Sequence, residues 1–150
     1  MRVWRLAIAA HAALDGEGAR RYGSRWTPRG YAIVYASATL SLAALERLVH
    51  TDPDLEPPDL VAIAIDIRPG VPIESIELSE LSGDWRAYPP PESLAALGER
   101  WIRGGNTVVL SVPSAVIPAE RNYLLNPAHA DFRRCSHGPP EPFTFDPRLR

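Results

Sequence analysis

The sequence predicts a single α/β domain of the α+β kind, a compact mixed sheet with helices covering it. Three observations lead there. Residues 60–67, LVAIAIDI, are a nearly unbroken apolar run of strand length, as expected for a central strand covered on both faces. Two segments, one ending near His50 and one at 92–103, place apolar residues at helical spacing. A further β-branched run, Thr107 to Val112, supplies another strand. At 150 residues the chain is read as one domain, 1–150, able to bury roughly 70% of its unfolded surface.

Each element has a local reason. Val3 to Ala9 reads as a buried first strand, because His11 interrupts an apolar run too short for a secretory signal. A Gly-rich turn, Asp15 to Gly23, leads to a strand at Tyr31 to Tyr35. Ser37 and Thr39 offer side-chain caps for a helix running to about His50, with Leu42, Leu45 and Val49 as its buried stripe and Asp52-Pro53 as its stop. The second helix, 92–103, follows Pro89-Pro90-Pro91 and is closed by Gly104-Gly105. From Pro113 to Arg150 the chain reads as loop-rich, with a late strand at Pro142 to Phe145.

Composition narrows function. All sixteen basic residues are arginine and none is lysine, which excludes Walker-type phosphate binding and Schiff-base chemistry. A net charge of −2 gives no global basic field for nucleic acid. The single cysteine, Cys135, excludes an internal disulfide and fits a reducing compartment, and no segment has the length to span a bilayer, so a cytoplasmic protein is expected. GEGARR at 16–21 lacks the third glycine of a dinucleotide fingerprint. Cys135, His137, His129 and Asp131 have no regular metal-ligand spacing, and Ser114 lacks a nucleophile elbow.

The informative stretch is RRYGSRWTPRGYAIVYAS, residues 20–37, where four arginines, three tyrosines and a tryptophan surround glycine turns and a short apolar run. Arginine forks suit phosphate, and aromatic faces stack planar rings. Downstream, Glu46 and His50 share a helical face bordering the apolar stripe, whereas Arg47 points a quarter-turn further, toward solvent. A carboxylate so placed can stabilise a developing cationic sugar. Phosphate, flat ring and ribosyl cation together describe a nicotinamide dinucleotide cleaved at its glycosidic bond. Arg20, Arg21 and Arg29 are read as solvated.

The ordered motifs GSRW, YAIVYAS, SLAALERLVH and VPSAVIPAERNYLLNPAH, through the terminal PFTFDPRL, resemble the RES-domain toxins of bacterial toxin–antitoxin pairs. That family is named for an Arg, a Glu and a Ser, matched here by Arg25, Glu46 and Ser114. Tyr35 and His50 fall on pocket positions of the family, Asn126 lies in its closing segment, and Tyr22 belongs with the ring-facing tyrosines. Ser24 departs from a glycine common in that turn. The resemblance implies an ADP-ribosyltransferase-like fold, NAD+ as substrate without a metal, and a cognate Xre-like antitoxin covering the pocket. It leaves the acceptor open between phosphate, water and protein. In this reading Arg25 holds phosphate, Glu46 offsets the oxocarbenium charge, Ser114 bonds the nicotinamide or ribose, and His50 orients Glu46 or helps admit the acceptor. Two other classes stay in play: an RNA-binding or RNA-cleaving toxin using His50, His11 and the arginines, and a non-catalytic protein-binding module.

Overall fold

A computed structural model describes residues 1–55 and 57–149. The strands are β1 (Arg2–Ile8), β2 (Val34–Ser37), β3 (Leu60–Ile67), β4 (Ile73–Ser75), β5 (Val109–Pro113), β6 (Arg121–Leu125), β7 (Cys135–His137) and β8 (Glu141–Pro142). The helices are α1 (Glu17–Tyr22), α2 (Leu40–His50) and α3 (Glu92–Gly104). One sheet takes the order β4-β5-β6-β2-β1-β3-β7, with β8 pairing the other end of β3. Only the β4–β5 pair is parallel among the described strands, so the sheet is mixed, as expected.

Side-chain alternation divides the core between the two faces of the sheet. Val34, Val109 and Leu125 join Ile63, Ile65 and Ile67 in one cluster. Their neighbours Leu110 and Leu124 pack instead with Trp26, Trp85, Leu94 and Trp101. β3 occupies the run expected of it and is buried along most of its length, paired with β1 on one side and with β7 and β8 on the other. Thr39 caps α2, its hydroxyl accepting from the Leu42 amide at 3.1 Å. Gly105, at φ 64°, ends α3 in the left-handed region that favours glycine.

Several expectations are corrected. The turn at 15–23 contains α1, which Gly23 terminates. β2 lies three residues later than the expected Tyr31–Tyr35, and the strand begun at Thr107 starts at Val109. The loop-rich tail holds β6, an interior strand between β5 and β2, as well as β7, while the late strand shrinks to Glu141–Pro142. Val49 is 59% exposed. It shares the face of Leu42, but by that point the helix has passed from the core to the rim of a cleft. No helix among the described residues is long and apolar enough to cross a membrane.

Candidate active site

A cleft of about 1220 Å³ opens beside α2 and is walled by residues from β1, the 22–26 turn, β2, α2, the 86–90 loop and the turn after β5. That exceeds the ~300–1,000 Å³ typical of drug-sized sites and suits an extended ligand. Among the described residues its lining includes four guanidiniums, Arg5, Arg25, Arg47 and Arg86, and one carboxylate, Glu46. The lining therefore carries a formal +3 within a chain of net charge −2. A concave wall of one sign concentrates anionic ligands.

Glu46 is held from behind. Its Oε1 accepts from the Ser114 hydroxyl at 2.7 Å and from Asn122 Nδ2 at 2.7 Å. Asn122 is oriented in turn by the Ser37 hydroxyl, which donates to its Oδ1 at 2.7 Å. Oε2 lies 4.0 Å from His50 Nε2. The donors on Oε1 are neutral, so they fix the carboxylate without cancelling its charge, and the side chain keeps 22% exposure toward the cleft.

Ser114 was expected at the ligand, but the structure places it behind Glu46. It is fully buried, and its oxygen also accepts the Val116 and Ile117 amides at 3.1 and 3.0 Å. Its contacts are with Glu46 and with the amides of its own turn. Ser114→Ala should leave Glu46 held by Asn122 alone and strand two amides, a cost of about 1–3 kcal/mol. For a chain of this size that lowers the melting temperature by roughly 2–12 °C, which calorimetry will read.

Arg25 Nη1 donates to the Trp85 and Ala87 carbonyls, each at 2.9 Å. Partial burial pulls its guanidinium below the usual range; Glu46 opposes this and Arg86 adds to it. The group stays cationic. Arg5 donates from Nη1 to the Tyr35 carbonyl at 3.3 Å, and its Nε is buried without an acceptor among the described residues. Arg47 lines the cleft instead of facing solvent as expected.

The Tyr35 hydroxyl bonds Ser24 and, at 2.8 Å, Thr27, tying the strand to the arginine turn. Burial pushes its phenol up to about 12, against the pull of those two hydroxyls. Because the folded state keeps this proton to higher pH than the unfolded chain, stability is whole below about pH 10 and is lost between about 10 and 12. Spectrophotometric titration should show a late phenol step that Tyr35→Phe removes.

The cleft also gathers Tyr22 and His50, but not Asn126, whose side-chain Oδ1 accepts from the Ala128 amide at 3.0 Å in its own turn. His11 lies outside it. Arg20 and Arg21 pair with Glu17, and Arg29 is exposed, in keeping with their reading as solvated. Arg5, Arg86, Tyr88 and Asn122 went unpredicted. Only Asn122, inside the quoted VPSAVIPAERNYLLNPAH, sat within a recognised motif.

A family model described as the RES domain matches residues 2–146. The chain belongs to the RES-domain family. Curated relatives with this domain's length include "Toxin Res" of Yersinia enterocolitica, 34% identical with both chains covered fully. The "Prs ADP-ribosylating toxin" of Sphingobium sp. is 33% identical over 97% of this chain and 94% of its own. Among solved structures, the M. tuberculosis MbcT–MbcA toxin–antitoxin complex aligns over 95% of this RES chain and 84% of the matched chain, with a TM-score of 0.79 and 18% identity. That likeness speaks to the fold, which it shares.

Proposed function

We propose that this RES protein is the toxin of a toxin–antitoxin pair and cleaves NAD+ at the nicotinamide–ribose bond. The observation that carries the reading is one carboxylate, Glu46, fixed by neutral donors in a cleft whose other charged side chains, among the described residues, are guanidiniums. As the glycosidic C–N bond breaks, its electron pair leaves with nicotinamide, which becomes neutral, and positive charge develops on the ribose. Glu46, through Oε2, stands for the counter-charge or accepts a ribose hydroxyl. Arg25 takes the phosphates, and the tyrosine-rich wall takes the rings. The acceptor, whether phosphate, water or a protein side chain, then supplies a lone pair to the anomeric carbon.

The relatives' names, toxins and one ADP-ribosylating toxin, support this reading. The cleft rim offers apolar surface for a protein cover to bury: Tyr22, Val49 and Tyr88 are 74%, 59% and 82% exposed and all line the cleft. An antitoxin segment bearing a carboxylate would pair with Arg25 as a phosphate does. Purified protein incubated with NAD+ should release free nicotinamide, and expression without a partner should arrest growth as cellular NAD+ falls. Soluble, folded protein that does neither overturns the proposal.

A further inference from the structure

The chain contains two mirrored dipeptides, Arg25-Trp26 and Trp85-Arg86. Their indoles are buried against each other, with centroids 6.3 Å apart, while both arginines line the cleft. Arg25 Nη1 donates to the carbonyls of Trp85 and Ala87, the two neighbours of Arg86. Arg86 Nε donates to the Ala115 carbonyl at 2.8 Å, next to the serine that holds Glu46. Two like charges are thus fixed in one wall by buried tryptophans and neutral carbonyls, and neither forms an ion pair among the described residues. Holding like charges together costs free energy that a shared anion would recover.

We propose that Arg86 is a second phosphate-binding residue and that Arg25 and Arg86 form a two-guanidinium clamp for a diphosphate. One phosphate is satisfied by one fork; two linked phosphates match two forks on one cleft wall, one of them bonded to the carbonyls on either side of the other's residue. Each arginine spends one nitrogen on its carbonyls, which leaves the other donors of the fork for the ligand. The naming of the natural ligand as a dinucleotide rests on the NAD+ reading, whereas the clamp itself does not.

The test titrates purified protein with inorganic pyrophosphate and with ADP-ribose by calorimetry, alongside nicotinamide release from NAD+ and from nicotinamide riboside, which has no phosphate. Arg86→Gln keeps an amide donor for Ala115 and loses the charge. It should weaken both ligands about tenfold or more. KM for NAD+ should rise by a larger factor than kcat falls, and the loss in kcat/KM should be smaller for the riboside than for NAD+. Arg86→Lys should recover part of the binding, since charge returns without the fork. A loop-holding role alone would depress kcat for both substrates and leave pyrophosphate binding as in wild type. That pattern in either variant, with melting unchanged, overturns the clamp. Pyrophosphate bound through Arg86 without any nicotinamide release would sink the NAD+ reading and leave the clamp standing.

Discussion

Glu46→Gln should lower NAD+ turnover by about 10²-fold or more, the scale of losing one preorganised electrostatic contact to a developing charge. Glutamine keeps the length of the side chain and one carbonyl oxygen. That oxygen can still accept from Ser114 and Asn122, so the amide group is held as the carboxylate was. What changes is the atom toward His50 and the cleft: a charged Oε2 becomes a neutral NH2. Because the side chain borders the cleft, folding should be nearly unaffected. Growth arrest should vanish while binding of an inhibitory partner persists. Steady-state nicotinamide release is the measurement, and a folded Glu46→Gln protein with wild-type turnover would refute the assignment.

Gly98→Ala should be strongly destabilising, since among the described glycines it is where an added methyl meets backbone most closely. Gly98 lies in the middle of α3, buried against the arginine turn, and a Cβ there would sit 1.6 Å from the Trp26 carbonyl oxygen and 2.8 Å from its carbon. Neither obstacle is a flexible side-chain end, so helix or turn must retreat. We expect a loss of about 3 kcal/mol or more, or roughly 6–12 °C in melting temperature. The retreat also carries Arg25 with it, so turnover should fall even at temperatures where the protein stays folded. Gly18→Ala is the control: it sits in α1 with nothing within 4 Å of the new methyl. There the same change should be neutral or stabilising by up to about 1 kcal/mol, through lower backbone entropy in the unfolded chain. Equal melting temperatures for the two variants would contradict the packing argument.

Much of this arrangement was legible beforehand where one physical signal dominates. β3 announces itself by a continuous apolar run, α2 by a hydroxyl cap and α3 by prolines before and glycines after. β6 was hidden because RNYLL stands between Pro118 and Pro127 and begins with polar residues. Its interior place comes from pairing with β2 and β5, a tertiary fact without a local signature. The site followed the same rule. Arg25, Tyr35, Glu46 and His50 lie in or beside consecutive elements that pack together, and they do meet in one cleft. Arg47 and Val49 were misjudged because a helical wheel assigns a face but not where along the helix the core gives way to solvent. Arg86 lies in a loop held by Arg25, and no periodicity marks such a residue.

The hydrogen bonds that fix Glu46 come from residues 68 and 76 positions further along the chain. At a synthesis rate of about 5–20 residues per second, a ribosome that has made Glu46 needs roughly 4–15 s more to deliver Asn122. Until β6 emerges and pairs with β2, the carboxylate has neither donor and its wall of the cleft has no floor. If Glu46 acts as proposed, cleavage should begin only once β6 has paired and both donors are in place. A partner that acts by covering the cleft, as proposed, would have that interval, and not only the lifetime of the finished protein, in which to bind.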